Sequence, residues 1–295
     1  MKPNPIPRFP KDARVCFLGD SITSGNLWSE LIFEYYLEKF PGENIRVFDA
    51  GVGGGTARFG IENLEKDLYT FDPTHVMVMY CGNDISGFSG TDEEKQEKFH
   101  ADMCELTDLL ISRGITVYFG IPPYSENEHL HDLHAEVMYR LAEEYGYPYV
   151  DFYEITKEVQ KRADLLVEDR MHQNRLGQMI MAKIFLHSQG FEGFSPDGED
   201  FIEPWEITKD GDLRHIYNRK IRAVWLAIRN ISTAGDTMEA KIERLKGRIL
   251  TWGDGAWDEF CYFRAVDFIE MAPHMDFYKE QLLRLTDMMV EKAGK

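Results

Sequence analysis

The first 190 residues alternate short apolar runs with longer helical patterns, and this alternation strongly constrains the fold. Five runs are rich in strand-forming residues and end in turn residues: 15–18, 45–48, 76–80, 116–119 and 149–152. Helical patterns lie between them, including those over residues 27–40, 93–113 and 130–145. This order favours an α/β fold in which helices cover both faces of a five-stranded parallel sheet. In such sheets ligands bind beyond the carboxyl ends of the strands.

The composition changes after residue 190, where the turn-rich stretch FEGFSPDGED begins. Beyond it apolar residues recur at helical spacing, as in Ile221, Val224, Trp225 and Ile228. We therefore predict an α/β domain over residues 1–190 and an α-helical region over 191–295, acting as a lid, an appendage or an oligomer contact. Four indoles in this region fit either a sugar-binding groove or, as their spacing favours, a helical core or dimer contact: Trp205, Trp225, Trp252 and Trp257.

The charge of the chain limits its partners. The 295 residues carry a formal net charge of −18, which disfavours nucleic acids and anionic membranes as partners. No stretch of eighteen apolar residues occurs, and the first residues show no apolar signal segment. We expect a cytoplasmic protein that acts on a small molecule, without a cofactor. The four cysteines are far apart, which indicates free thiols rather than disulfides or zinc ligands: Cys16, Cys81, Cys104 and Cys261.

Polar residues follow three of the predicted strands. Ser21 follows the first strand and is suited either to a nucleophile at the sheet edge or to a helix cap. After the second strand, the glycine-rich loop at 51–55 is either an anion-binding backbone or a flexible turn; Thr56 breaks the dinucleotide pattern. After the third strand, Asn83 can donate to an oxyanion and Asp84 can brace the loop, although Asn-Asp is also a common turn pair.

A serine nucleophile needs a base, and the spacing Asp-x-x-His occurs three times. The pair at 72 and 75 enters the third strand from its amino end, and the pair at 212 and 215 lies among the C-terminal helices. Asp169 and His172 follow the fifth strand and precede the helical pattern over 176–186. Position therefore selects Asp169 and His172.

Three histidines lie near the start of the helix that follows the fourth strand: His129, His131 and His134. Their spacing does not put three imidazoles on one helix face, and no HExxH pattern is present. We therefore expect a solvated helix start there and no metal site.

Four sequence blocks occur in order over residues 14–187: Gly19-Asp20-Ser21-Ile22, Gly51-Val52-Gly53-Gly54, Asn83-Asp84 and Asp169-Arg170-Met171-His172. Together they resemble the SGNH (GDSL) hydrolase superfamily. The resemblance implies a three-layer α/β/α fold. It implies Ser21 as nucleophile, His172 as base and Asp169 as the orienting carboxylate. It also implies an oxyanion hole formed by the backbone N–H groups of Ser21 and Gly54 and the Asn83 side chain, with Asp20 and Asp84 as supporting residues.

Two positions depart from the usual family pattern: Cys81 replaces the first glycine of the third block, and Asp49 replaces the asparagine before the second block's glycines. Both can reshape the pocket. The resemblance predicts a serine esterase for a small acyl ester, with carbohydrate acetyl groups as one candidate substrate. The alternatives are a lipase or lysophospholipase and a noncatalytic carbohydrate-binding protein on the same fold. Homo-oligomerisation through the C-terminal helices is a further expectation.

Overall fold

A computed structural model describes residues 5–24 and 27–203, together with positions 283, 287, 290 and 291. Its centre is a parallel sheet of five strands in the order β2-β1-β3-β4-β5. The strands are β1 (Arg14–Gly19), β2 (Arg46–Gly51), β3 (His75–Met79), β4 (Thr116–Ile121) and β5 (Tyr149–Asp151). All but their terminal residues are buried, so the continuous apolar runs reflect strands that are covered on both faces.

Nine α-helices lie among the residues numbered up to 203. They are α1 (Ser21–Ser24), α2 (Leu27–Lys39), α3 (Ala57–Glu62), α4 (Leu64–Asp67), α5 (Gly82–Gly87), α6 (Asp92–Ser112), α7 (Glu128–Tyr145), α8 (Phe152–Gln160) and α9 (Arg175–Ser188). Helices α2, α8 and α9 pack together, and α3, α5, α6 and α7 form a second group. The two groups sandwich the sheet, which confirms the predicted three-layer fold.

An aromatic cluster fills the space between the sheet and α2. The Trp28 ring lies 4.5 Å from Phe17 and 5.6 Å from Phe152, measured between ring centroids. Phe185 on α9 completes the cluster at 5.5 Å from Phe17. Trp28 is fully buried and its Nε1–H donates to the carbonyl of Ile22, so it fixes α2 behind the loop that carries Ser21.

The strand order positions the candidate site. The chain passes from β1 to its neighbour β2 on one side, and from β3 to its neighbour β4 on the other. At such a switch point the loops at the carboxyl ends of neighbouring strands diverge and leave a crevice. Gly19 pairs with Gly51 of β2 and Met79 of β3, so the loops that begin near residues 20, 52 and 80 open at one edge.

The helices match the predicted elements where they are long, and most of the differences are short helices. Helix α6 begins at Asp92 because Thr91 forms a capping box with Glu94. Helices α1 and α5, with four and six residues, are too short to show an apolar period. Helix α8 starts immediately after β5, where the Asp151 side chain accepts from Glu154 N.

The unit that contains the sheet extends beyond residue 190. Contacts between Cα atoms divide the chain into Met1–Trp205 and Glu206–Lys295. Residues 191–203 belong to the first unit, and Phe191 packs at 5.0 Å from the ring of Tyr35 on α2. Nearly all of the predicted C-terminal helices, with their four indoles, lie outside the described residues. Among the described helices, none combines the length and the hydrophobicity that crossing a membrane requires.

Candidate active site

Ser21 lies at the end of β1, where its side chain contacts a histidine. Its Oγ is 2.7 Å from Nε2 of His172, across 151 residues of sequence. The capping function belongs to the neighbouring carboxylate instead, because Ile22 N donates to Asp20 Oδ1 at 2.9 Å. The Ser21 hydroxyl is therefore placed for proton exchange with His172, and Asp20 supports the turn beneath it.

Asp169 orients the same histidine. Its Oδ2 lies 2.6 Å from His172 Nδ1, and its Oδ1 accepts from the backbone N–H groups of Met171 and His172 at 2.8 and 2.9 Å. Burial raises the pKa of Asp169, but these hydrogen bonds outweigh burial and hold it below its ordinary value. The carboxylate is therefore charged at neutral pH and can stabilise a protonated imidazole. The His172 and Asp169 side chains are 41% and 49% exposed, so the site is open to solvent.

A clamp holds the loop between these two residues. Arg170, between Asp169 and Met171, adopts a left-handed backbone with φ of 58°. Its guanidinium binds Asp164 at 2.8 Å and Glu126 at 2.6 Å, and its carbonyl accepts from Glu126 N. The role of Arg170 is not visible in the sequence, because ion pairs with residues 6 and 44 positions away leave no local pattern.

The predicted oxyanion donors lie in two loops that contact each other. Gly54 has φ of +74°, a left-handed conformation that glycine adopts without strain. The Asn83 Nδ2 donates one hydrogen to the carbonyl of Gly55 at 3.0 Å. Since an amide carries two such hydrogens, the second can serve a ligand in the crevice. The structure thus brings the second and third sequence blocks together at the edge that holds Ser21.

Two buried carboxylates brace these loops. Asp20 is 1% exposed, and its Oδ2 accepts from both N and Sγ of Cys81 at 3.1 Å. Asp84 accepts from Ala57 N at 2.9 Å and so ties the third block to α3. Burial, with repulsion from Asp20 and Asp102, raises the pKa of Asp84 to about 8 even though the Ala57 hydrogen bond lowers it. Asp20 and Asp84 therefore hold the loops that carry Ser21 and Asn83.

Cys81 and Asp49, the two positions that depart from the family pattern, both have hydrogen-bond partners. Cys81 supplies the thiol that donates to Asp20, and burial raises its pKa well above the ordinary value, so the sulfur keeps its proton. Asp49 is buried, accepts from Gly51 N at 2.8 Å and receives the Ser29 hydroxyl at 3.2 Å. Each of these side chains forms a hydrogen bond behind a loop of the site.

The Asp72–His75 pair does not join this site. His75 is the first residue of β3, at the opposite edge of the sheet, and its Nδ1 contacts Thr74 Oγ1 at 2.8 Å. The pair at 212 and 215 lies outside the described residues.

The expectation of a solvated helix start at the three histidines is wrong for two of them. His129 is exposed and pairs with Asp92 at 2.9 Å, but His131 and His134 are 2% and 0% exposed. His134 packs against Phe99 with ring centroids 5.3 Å apart, because α7 lies against α6. Burial lowers the pKa of His131 to about 4 and that of His134 to about 3, so both are neutral.

Residues 17–180 match the GDSL-like lipase/acylhydrolase family, and this match spans more than half of the chain. The chain therefore belongs to that family and is a carboxylic ester hydrolase. The match confirms the resemblance to the SGNH (GDSL) hydrolase superfamily that the four sequence blocks indicate.

The chain is similar to an acetylxylan esterase of Geobacillus stearothermophilus, with 27% identity over 209 residues that cover 61% of this chain and 94% of the relative. The crystal structure of that organism's acetylxylan esterase Axe2 shares 25% identity over 62% of this chain and 96% of its own, with a TM-score of 0.54. A gut microbial diltiazem-metabolizing enzyme shares 27% identity over 63% of this chain with a TM-score of 0.51, but the chain spans only 48% of that protein.

Proposed function

We propose that the protein is a serine esterase that removes small acyl groups, with Ser21 as nucleophile, His172 as base and Asp169 as the orienting carboxylate, and that its substrates are acetylated carbohydrates. The observation that carries the proposal is the continuous hydrogen-bonded chain from Asp169 Oδ2 through both ring nitrogens of His172 to Ser21 Oγ, with contacts of 2.6 and 2.7 Å. Serine, imidazole and carboxylate in this order define the arrangement of serine hydrolases.

The first half of the reaction forms an acyl-enzyme. His172 Nε2 takes the Ser21 proton as Oγ attacks the ester carbonyl, and the carbonyl electrons move to its oxygen. Ionised Asp169 stabilises the imidazolium through Nδ1. When the tetrahedral intermediate collapses, the carbon–oxygen bond to the alcohol breaks and the Nε2 proton passes to that alcohol.

The second half releases the acid. His172 removes a proton from water, the resulting hydroxide attacks the acyl-serine carbonyl, and Ser21 Oγ leaves with the proton that returns from Nε2. The backbone N–H groups of Ser21 and Gly54 and the free hydrogen of the Asn83 amide are the proposed donors to the oxyanion. Loss of one such donor costs about 10²- to 10³-fold in rate.

Two observations support an acyl ester of a neutral alcohol. The Met171 methyl and a Leu130 methyl lie 3.6 and 3.8 Å from where a Cβ on Gly82 would be, next to Asn83, and such apolar atoms suit an acyl group. The relative with 27% identity is an acetylxylan esterase. A formal charge of −18 does not repel an uncharged carbohydrate.

The proposal is tested with p-nitrophenyl esters from acetate to octanoate and with acetylated xylooligosaccharides, using the wild type and Ser21→Ala. We expect the wild type to prefer acetate and to release acetate from the oligosaccharide, and Ser21→Ala to lose at least about 10³-fold in kcat. Equal rates for both proteins would contradict the serine mechanism, and rates no higher than the uncatalysed reaction for both would favour a noncatalytic protein on this fold. A preference for octanoate would indicate a lipase.

A further inference from the structure

A second cluster of reactive side chains lies between α6 and α7, apart from the strand-end loops. It consists of His100 and Cys104 on α6 and Glu144 on α7, and we name it the α6–α7 cluster. One ligand atom from each residue lies within 4.8 Å of the other two. Within the part of the chain that the structure describes, this is the one group of three histidine, cysteine or acidic residues that meets this distance.

Two helices preorganise the cluster. His100 and Cys104 are four residues apart on α6, so their side chains share one face of the helix. Glu144 reaches them from the last turn of α7, which packs against α6. Both helices are longer than fifteen residues, so the positions of the ligands do not depend on a loop.

The distances suit a tetrahedral ion after a small displacement. With zinc–sulfur and zinc–nitrogen bonds of about 2.3 and 2.0 Å, tetrahedral donors lie about 3.4 to 3.6 Å apart. Cys104 Sγ lies 3.8 Å from His100 Nε2. Glu144 Oε2 lies closer to Nε2, at 2.6 Å, where a hydrogen bond occupies the position that an ion would take. The Glu144 side chain is 46% exposed and can move outward to make room.

Charge around the cluster permits a cation. The Arg140 guanidinium, one turn before Glu144 on α7, is a positive charge near the cluster, and it pairs with Glu97 at 2.7 Å. Asp108, one turn after Cys104 on α6, adds a carboxylate beside the cluster and accepts from Tyr145 Oη at 2.8 Å. Together with Glu144, these acids balance Arg140 and leave the surroundings favourable to a divalent ion.

We propose that the α6–α7 cluster binds a divalent transition-metal ion of the zinc type, with His100 Nε2, the Cys104 thiolate and a Glu144 oxygen as protein ligands and water as the fourth. Imidazole and thiolate ligands favour zinc over calcium or magnesium. Binding releases the Cys104 proton to solvent and moves the imidazole hydrogen from Nε2 to Nδ1. The ion joins α6 to α7 and thus stabilises one outer layer of the fold.

A neighbouring histidine–carboxylate pair provides a matched control. His129 on α7 and Asp92 on α6 lie 2.9 Å apart and also bridge these two helices, but among the described residues they belong to no group of three such ligands. If any surface histidine–carboxylate pair bound the metal, His129→Ala and substitutions in the α6–α7 cluster would weaken metal binding equally.

The test is a Co²⁺ titration of the full chain, freed of metal with a chelator, followed by Zn²⁺ competition. The wild type should take up one equivalent with the near-ultraviolet charge-transfer band of a cobalt thiolate. Cys104→Ser should lose the band and bind at least about tenfold more weakly, whereas His129→Ala and Cys261→Ser should match the wild type. Absence of the band in the wild type, or its persistence in Cys104→Ser, would overturn the proposal.

Thermal unfolding gives a second measurement, which keeps the proposal testable if Cys104→Ser folds poorly. Saturating Zn²⁺ should raise the Tm of the wild type and of His129→Ala, because an ion that binds only the native state stabilises it. In Glu144→Gln, which keeps a hydrogen-bond acceptor for His100, the rise should be at most half as large. Equal rises in Glu144→Gln and the wild type would contradict the assignment of Glu144.

Discussion

At the scale of single residues, Cys81 changes how the buried Asp20 is held. Its thiol and its backbone N–H both donate to Asp20 Oδ2, one residue before Ser21. We expect Cys81→Ala to lower the free energy of unfolding by about 1 to 3 kcal/mol, because a buried carboxylate loses a donor. Cys81→Ser, which keeps a donor, should lose less than half of that amount. Urea unfolding measures both, and equal losses in the two variants would show that the thiol hydrogen bond is not the cause.

Asp84 makes stability depend on pH. Its pKa is raised from an ordinary value of 3.8 to about 8, chiefly by burial. The native state therefore holds this proton where the unfolded chain has lost it, and stability falls as pH rises from about 4 to 8. Asp84→Asn cannot ionise and still accepts from Ala57 N through its amide oxygen. Its free energy of unfolding should rise relative to the wild type between pH 5 and pH 9; parallel curves for the two proteins would contradict this account.

At the scale of elements, the loop from Val167 to His172 depends on the Arg170 clamp. Arg170→Ala should lower kcat/KM by about 10- to 100-fold, because small displacements of a base are costly. The free energy of unfolding should change by less than about 1 kcal/mol per ion pair, since both pairs are exposed. Arg170→Lys serves as the control that keeps one pair and should recover part of the rate. A rate for Arg170→Ala within twofold of the wild type would remove the clamp from the mechanism.

Sequence predicted the elements that carry a long pattern and missed those that do not. The five strands were predictable because their apolar runs are buried on both faces. Helices α2, α6 and α7 span at least three turns, whereas α1 and α5 span fewer than two. The same contrast applies to the site. The order of Ser21, Asn83, Asp169 and His172 is visible in sequence, but burial of His131 and His134 depends on the packing of α7 against α6.

At the scale of the whole molecule, Lys183 ties residues 200–203 to the α/β unit. This lysine is 6% exposed, and its Nζ donates to the carbonyls of Asp200, Phe201 and Glu203 at 2.8 to 3.2 Å. A chain that ends at residue 190 leaves this buried ammonium without those acceptors. A chain that ends at residue 205 keeps them.

We therefore expect the 1–205 chain to fold and hydrolyse p-nitrophenyl acetate, and the 1–190 chain to be less stable by at least about 1 to 3 kcal/mol. Lys183→Met in both chains is the control, because it removes the ammonium and should reduce the difference. Calorimetry of the four proteins measures the effect. Equal stability of the 1–190 and 1–205 chains would support a domain boundary at residue 190, which the composition change predicts.

The central claim is that Ser21 is the nucleophile, and a fluorophosphonate that labels activated serines tests it directly. After trypsin digestion, mass spectrometry should find one adduct on the peptide of residues 15–39, located at Ser21. Ser21→Ala should carry no adduct, and His172→Ala should react far more slowly because no base activates the hydroxyl. An adduct at another residue, or equal labelling of the wild type and Ser21→Ala, would contradict the account.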